Sequence, residues 1–389
     1  MRLAVLTSHP IQYNAPWFRE LARSTDMTVY FAHKATPQQQ AAAGFGTAFE
    51  WDVDILTGYA HEFLRNAALD PGTHHFLGCD TPGIGARLRE GNFDALLVTG
   101  WNLKSYWQGI LAAKRRGVPI LVRGDSQLET PRAAVTLAVK SIAYPPLLRL
   151  FDAALYVGQR NLAYWRRYHY PVQRLFFSPH CVDNFYFASR ATQHSRNTLR
   201  ARLGIANLTP VALFAGKLLA FKRPQDLVSA AAQVRSQGAD LNVVFAGSGE
   251  QEGQLRAQAQ QLGVPAHFIG FQNQSEMPAA YAASDVLVLP SSGEETWGLV
   301  ANEALACARP IIVTEACGCA PDLAGDGTTG RVVPVKSPNA LSAALQHILG
   351  APPAHETIAT KIALYSPEAA AAGVKDAALA VLRKDAPQS

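Results

Sequence analysis

The sequence predicts an α/β protein built from two doubly wound parallel sheets. The first observation is length, because 389 residues exceed the usual size of one domain. The second is that short, continuously apolar runs alternate with amphipathic segments, a pattern typical of parallel sheets covered by helices on both faces. The third is that this pattern stops at a polar segment, residues 188–208, and then starts again. Two similar domains with a cleft between them are therefore predicted.

The first domain is predicted over residues 1–187. Its apolar runs are too short for helices and are bounded by turn residues, which favours buried strands. Strands are predicted at residues 3–7, 28–31, 95–98, 119–122, 153–157 and 174–178, with helices at 11–23 and 104–116.

The second domain is predicted over residues 188–365, with residues 188–208 as a linker into its first strand. Strands are predicted at residues 211–215, 241–246, 267–269, 286–289 and 310–313, with helices at 224–237, 250–262, 275–283, 298–308 and 339–349. A last, alanine-rich helix is predicted at residues 367–383, and either domain could cover its apolar face.

Composition indicates an ordinary globular protein, with 48% hydrophobic and 17% charged residues. The net charge of +5 suits a small anionic ligand or an acidic surface but is too weak to indicate nucleic acid. Five cysteines at scattered positions do not form a disulfide framework, and Cys317 and Cys319 lack two further metal ligands nearby. We therefore expect reduced thiols, no metal and a cytoplasmic protein that is at most peripheral to the membrane.

An acidic pair lies where the second sheet should bind ligands. The strand at 286–289 is followed by a loop and a helix beginning near Gly298, with Glu295 before the helix and Glu303 within it. Eight residues of helix rise about 12 Å, roughly the span of a nucleotide sugar from its hexose to its ribose. Carboxylates accept hydrogen bonds from sugar hydroxyls. The alternative is that both acids only stabilise the start of a helix.

Two glycine-containing loops follow other strands of the same domain. Gly216 and Lys217 follow the strand at 211–215, and Lys222 is nearby, so these cations could neutralise a diphosphate. The alternative is a solvated basic loop. Residues 247–249 form a second glycine turn, but Glu252 stands where a dinucleotide fingerprint needs its third glycine.

These motifs occur in a recognisable order along the second half of the chain. The order is 216–218, Lys222, 247–249, 269–271, Glu295 with Glu303, 320–323 and Gly330. The ordered set resembles the retaining glycosyltransferases of family 4. That resemblance implies the GT-B fold, with two Rossmann-like domains facing a cleft, the donor bound mainly by the second, and no bound metal or cofactor. It also implies that the last segment, residues 366–389, crosses back to the N-terminal domain.

The resemblance assigns roles to residues of the second domain. Lys217, where the family usually has arginine, and Lys222 would bind the donor diphosphate and stabilise the leaving group. Glu295 would hold the transferred sugar and Glu303 the ribose. Further donor contacts are implied for Gly216, Gly247, Phe271, Trp297, Gly298, Leu299 and Val300.

The first domain matches the family less closely. Residues 9–13 resemble the His-Pro-Ile-Gln-Tyr opening of one sub-branch. The His-Asp pair of the family appears here as Gly124 and Asp125, so the carboxylate is kept and no catalytic histidine can be assigned at that place. Candidates for acceptor and donor-sugar contacts are His9, Trp101, Asn102, Arg123 and Asp125. A structural role for His9 is the alternative.

The function implied is transfer of a hexose-type sugar, with retention, from a nucleoside-diphosphate sugar of UDP or GDP type. The acceptor would be a saccharide or a lipid-linked hydroxyl, in surface polysaccharide or glycolipid synthesis. A GT-B epimerase or phosphorylase and a non-catalytic sugar-nucleotide-binding subunit are the alternatives. The arginines and aromatic residues of 160–170 indicate possible contact with an anionic membrane, and a solvated helix face is the alternative.

Overall fold

A computed structural model describes residues 1–36, 50–129 and 133–384. Within them the chain forms two compact units. The first contains residues 1–36, 54–180 and 367–384, and the second contains 50–53 and 181–366. The boundary therefore falls between His180 and Cys181, where the sequence predicted residue 187.

The first unit is built on a seven-stranded, fully parallel sheet in the order β3-β2-β1-β4-β5-β6-β7. The strands are β1 Arg2–Thr7, β2 Asp26–Phe31, β3 Ala60–Phe63, β4 Ala95–Val98, β5 Ile120–Gly124, β6 Ala153–Tyr156 and β7 Leu175–Phe177. Its first helices are α1 Ala15–Ala22, α2 Ile84–Gly91, α3 Lys104–Lys114, α4 Ala134–Leu148 and α5 Gln159–Arg167. The side chains of β4 are fully buried, which explains its continuous apolar sequence.

The second unit has a six-stranded parallel sheet in the order β10-β9-β8-β11-β12-β13. Its strands are β8 Val211–Ala215, β9 Asn242–Ala246, β10 Ala266–Gly270, β11 Val286–Leu289, β12 Ile311–Thr314 and β13 Gly330–Val333. Its helices are α6 Asn184–Arg190, α7 Gln193–Leu203, α8 Pro224–Ser236, α9 Glu252–Gln261, α10 Met277–Ala283, α11 Leu299–Ala306, α12 Pro338–Gly350 and α13 His355–Ala363. The strand order reverses beside β8, as it does beside β1 in the first sheet. Two doubly wound, Rossmann-like units are thus confirmed.

The last helix, α14 Pro367–Lys384, packs against α1, β6 and β7 of the first unit. A Cβ atom on Gly373 would lie 1.8 Å from the carbonyl oxygen of Phe177, so only glycine allows this close approach. Nearby, the Ser178 hydroxyl donates to the carbonyl of Ala370 at 2.9 Å.

The predicted linker at 188–208 is wrong, because this segment contains part of α6 and all of α7. The buried guanidinium of Arg200 donates to Asp285 at 2.8 Å and to the carbonyl of Ala283 at 2.8 Å. Arg196 and Arg200, two of the arginines that made the segment look like a solvated connection, instead attach α7 to the second unit. The sequence also missed β3 and β13, which are four-residue strands at the edges of their sheets.

Candidate active site

Three charged donor residues predicted in the second unit, Lys217, Lys222 and Glu295, follow β8 and β11, where the strand order reverses. The ammonium of Lys222 forms an ion pair with the carboxylate of Glu295, and both side chains are mostly buried. The Ser291 hydroxyl donates to the same carboxylate at 3.2 Å. The structure therefore brings together one cation and one carboxylate that the sequence placed in separate motifs.

Backbone hydrogen bonds fix the loop that carries Glu295. The amide of Ser292 donates to the carbonyl of Phe221 at 2.8 Å, which joins the loops after β8 and β11. The amide of Gly318 donates to the carbonyl of Glu295 at 3.0 Å. The carboxylate is therefore held on a constrained backbone that is bonded on both sides.

Lys217 belongs to the same electrostatic cluster. Burial lowers the pKa of its ammonium below the usual value, Lys222 lowers it further, and Glu295 opposes the shift. Two lysines beside one carboxylate suit a ligand that carries both negative charge and hydroxyl groups.

The glycine turns allow the neighbouring loops to approach each other closely. Gly216 and Gly247 have φ values of 138° and 142°, which L-residues with side chains rarely adopt. A Cβ on Gly247 would lie 2.0 Å from the carbonyl oxygen of Gly216. The amide of Gly247 donates to the carbonyl of Gly270 at 2.7 Å, and Phe271 follows at the end of β10. These loops therefore form one connected rim after β8, β9 and β10.

Helix α11 begins after the loop that follows β11 and carries Glu295. Gly298, at φ 100°, precedes its first residue, and a Cβ there would lie 2.6 Å from Leu289. Leu299 and Val300 form the first turn, whose backbone amides suit an anion. The buried side chain of Trp297 donates to Asn302 at 2.8 Å, so the indole is part of the local packing.

Glu303 lies on the buried face of α11, with 2% of its surface exposed. Its carboxylate accepts a hydrogen bond from the Tyr281 hydroxyl at 2.6 Å. The assignment of Glu303 to a ribose stays a prediction, and Tyr281 is a neighbour that the sequence did not identify.

The first unit contains its own cavity of about 310 Å³ at the carboxyl ends of β1, β4 and β5. Four predicted contact residues line it: His9, Asn102, Arg123 and Asp125. The other polar lining residues are Thr7, Ser8, Asn14, Thr73, Thr99, Tyr106 and His180. The lining offers hydroxyl, amide, imidazole and carboxylate groups, which can bind a hydroxyl-rich molecule.

Both histidines of the cavity are held in the neutral form. Burial lowers the pKa of His9 to about 4, and His33 contributes in the same direction. Burial also lowers the pKa of His180 well below its usual value, with Arg123 acting in the same direction and Asp125 against it. At neutral pH each ring therefore has one donor and one acceptor nitrogen.

His180 received no role from the sequence, although it follows soon after β7 in a position equivalent to those of His9 and Asp125 after their strands. The rule that ligands bind beyond the carboxyl ends of parallel strands would have selected it.

Two of the predicted contact residues have structural partners. The guanidinium of Arg123 donates to the carbonyl of Pro179 at 2.7 Å and to the Ser178 hydroxyl at 3.1 Å, so it braces the segment leaving β7. Trp101 lies with its ring 5.9 Å from that of Phe151 and packs on the hydrophobic core. The Trp101 ring thus packs against the hydrophobic core. The sequence alone could not distinguish this role from contact with a ligand.

One group of possible metal ligands occurs within the described ranges. Asp70, His74 and His75 have ligand atoms within 4.8 Å of one another, on a largely exposed loop. The sequence did not identify this group. Cys317 and Cys319 are buried free thiols, and burial raises the pKa of Cys317 to about 11.

Part of the second unit matches a known family model. Residues 195–363 match the model of the family described as Glycosyl transferases group 1. This stretch includes Lys217, Lys222, Glu295 and Glu303, so the match covers the whole cluster described above.

Curated glycosyltransferases match part of the chain. A D-inositol 3-phosphate glycosyltransferase from Corynebacterium glutamicum is 36% identical over 168 residues, 41% of this chain and 39% of the relative. An alpha-D-kanosaminyltransferase from Streptomyces kanamyceticus is 30% identical over 179 residues, 46% of each chain. The aligned part thus spans less than half the length of these curated relatives.

Solved structures resemble almost the whole chain. A glycosyltransferase from Rickettsia africae superposes with a TM-score of 0.72 at 14% identity, covering 98% of this chain and 99% of the other. Anabaena Alr3699/HepE in complex with UDP gives a TM-score of 0.65 at 16% identity, covering 99% and 98%. This likeness confirms the predicted GT-B fold class.

Proposed function

We propose that the protein is a retaining glycosyltransferase that uses a nucleoside-diphosphate sugar. The observation that carries the proposal is the ion pair of Lys222 and Glu295 beside Lys217, within the segment that matches the family model. A donor of this class presents a diphosphate and a sugar side by side, which this combination of charges can bind.

In this function the second unit binds the donor. The ammonium groups of Lys217 and Lys222 offset the charge that develops on the departing diphosphate. Glu295 accepts hydrogen bonds from hydroxyls of the transferred sugar, and Glu303 from the ribose. The UDP bound to the Anabaena protein supports a UDP-type donor, with GDP as the other candidate.

The cavity of the first unit binds the acceptor. Its neutral imidazoles and the Asp125 carboxylate suit a saccharide hydroxyl, which needs a hydrogen-bond acceptor when it attacks. The transferred group is hexose-type, and the acceptor is a saccharide or lipid-linked sugar of surface polysaccharide or glycolipid synthesis. The protein acts in the cytoplasm, in peripheral contact with the membrane that carries its acceptor.

A panel of UDP- and GDP-sugars tests the proposal, with thermal stabilisation and slow donor hydrolysis as readouts. We expect at least one donor to raise the melting temperature and to be hydrolysed without a metal ion. Conversion of a donor to its epimer would indicate an epimerase, and stabilisation without any turnover in the presence of acceptors would indicate a binding subunit. No response to any donor would reject the donor site.

A further inference from the structure

Helix α4 presents its apolar side chains outward. Val135, Val139 and Ile142 are 75%, 59% and 80% exposed. They are spaced by four and three residues, so they lie on one face of the helix. Residues 133–139 are all exposed, and this part of the chain contains only alanine, valine, leucine and threonine. A stripe of this kind is unusual on a surface that meets only water.

The opposite face of α4 buries a cation. The ammonium of Lys140 lies 4.6 Å from the ring centroid of Tyr144 and 5.5 Å from that of Tyr164, and only 8% of Lys140 is exposed. The helix therefore turns its charge towards tyrosine rings and its branched aliphatic side chains outward. This is the reverse of the arrangement that water favours.

The surface next to this stripe is positively charged. Arg149 follows α4, and Arg166 and Arg167 are exposed at the end of α5. Arg167 donates to the hydroxyl of Ser141 at 3.4 Å, which connects α5 to α4. Residues 133–151 and 153–182 contain no Asp or Glu, and Asp152 between them is paired with Lys114 at 3.0 Å.

The aromatic residues of 160–170 do not take part in this surface. Tyr164, Trp165, Tyr168 and Tyr170 are at least 97% buried in the core of the first unit. The sequence offered these aromatic residues as part of a possible membrane contact, but the structure buries them. Arg166 and Arg167 are exposed, and the exposed apolar groups come from α4.

We propose that α4 and the adjoining arginines form a docking surface for an anionic lipid bilayer. With 15 residues the helix rises about 22 Å, less than the roughly 30 Å of a bilayer core, so it lies in the interface instead of crossing. The stripe inserts among the acyl chains while Arg149, Arg166 and Arg167 contact lipid phosphates. Among residues 1–36, 50–129 and 133–384, no helix meets the length and hydropathy needed for a membrane span.

Charge favours a bilayer over a second copy of the chain. A two-fold contact would place the same basic surface against itself, whereas anionic headgroups neutralise it. The surface is also tied to the cavity of the first unit, because Asn161 of α5 donates to the carbonyl of Ser126, next to Asp125, at 2.7 Å. The link to a lipid-borne acceptor rests on the proposed function, but bilayer binding itself does not.

Co-sedimentation of the full chain with vesicles tests the surface. Vesicles of phosphatidylcholine alone are compared with vesicles that also contain phosphatidylglycerol. We expect binding to the anionic vesicles, about tenfold weaker or more for the double variant V135N/I142N. The matched control is Leu208→Asn, which alters a side chain that is 96% exposed in the second unit and should leave binding unchanged.

A second pair of variants tests the contribution of the arginines to vesicle binding separately from that of the apolar stripe. R166Q/R167Q should weaken binding to anionic vesicles and remove most of its advantage over neutral ones, whereas Arg202→Gln on α7 should not. Circular dichroism and melting temperature should stay near the wild-type values, because the substituted valine, isoleucine and arginines are exposed.

Three results would overturn the proposal. They are absence of binding to anionic vesicles, equal binding by the V135N/I142N variant, and a dimer in lipid-free sedimentation that this variant abolishes. Thermal stabilisation by donor sugars is measured on the same samples. If the wild-type chain is stabilised by donor sugars but does not bind anionic vesicles, only the docking surface is rejected. If it binds the vesicles but no donor stabilises it, only the donor site is rejected.

Discussion

Lys222 and Glu295, 73 residues apart in the chain, form an ion pair at the carboxyl ends of β8 and β11. The carboxylate compensates the charge of the lysine. A bound diphosphate would compete for that charge, while a sugar hydroxyl would compete for the carboxylate. In the proposed function the pair would link recognition of the two parts of a sugar nucleotide.

The first prediction separates the two members of this pair. Lys222→Ala should lower turnover about 10²- to 10³-fold and weaken binding of the nucleoside diphosphate, because it removes a cation from the leaving group. Glu295→Gln should lower turnover without weakening binding of the diphosphate, because Lys222 is then released from its carboxylate. Calorimetry with UDP or GDP and initial rates measure the two effects.

The matched control for Lys222→Ala is Lys375→Ala, on α14 of the first unit, which should change neither quantity. Equal loss of diphosphate affinity in the Lys222 and Glu295 variants would contradict the division of roles.

The second prediction concerns the glycine turn after β9. Gly247→Ala should lower the free energy of unfolding by more than about 1 kcal/mol, because its φ is 142° and the new Cβ meets the carbonyl of Gly216 at 2.0 Å. Gly253→Ala, in α9 with open space around its Cβ, should be neutral or stabilise by up to about 1 kcal/mol. Urea unfolding compares them, and similar losses in both would argue against the close approach.

The third prediction concerns buried Arg200. Arg200→Ala should destabilise the protein by about 3 kcal/mol, because it leaves Asp285 and several buried carbonyls with fewer donors. Arg196 still donates to Asp285 at 2.9 Å, so the loss of stability should lie at the lower end of the range for a broken buried ion pair. Arg202→Ala, on the same helix, should change stability by less than about 0.5 kcal/mol. A small effect at Arg200 would show that its buried hydrogen bonds contribute little to the attachment of α7.

The fourth prediction is a pH dependence of stability from His9. The folded-state pKa of about 4 lies below the ordinary 6.5, so between these values the unfolded chain binds a proton that the folded chain does not. Stability should fall as pH drops from about 6.5 to about 4, by up to about 1.4 kcal/mol per pH unit from this residue.

Urea midpoints across this range measure the effect. His9→Asn should reduce the slope by the contribution of this residue, and the contribution of buried His180 should remain. An unchanged slope in His9→Asn would show that this ring is not buried in the neutral form.

Much of the fold could be predicted because the burial of each central strand is visible in the apolar composition of its own short segment. A run such as residues 95–98 is apolar on both faces, and the segment that follows has helical periodicity. The edge strand β3 was missed because two of its four residues are exposed and none is fully buried, so its composition resembles a loop. Residues 188–208 were wrongly predicted as a linker because the sequence alone does not distinguish a buried arginine from a solvent-exposed one.

The candidate site was partly predictable for a similar reason. Charged residues directly after buried strands, such as Lys217 and Asp125, lie at one edge of a parallel sheet whatever its strand order. Their partners could not be inferred, because pairing depends on which strands become neighbours. Tyr281 beside Glu303 and the carbonyl of Pro179 beside Arg123 are contacts of this kind.

The sequence by itself determined two doubly wound units and the strand-end loops that carry the charges, since burial and periodicity are local properties of the chain. Only the tertiary structure decided which of those charges meet. It joined Lys222 to Glu295, placed Lys140 of α4 against tyrosine rings and left Ile142 exposed. The physical reason is that hydrogen bonds, ion pairs and burial form between segments far apart in the chain, and no local pattern specifies that geometry.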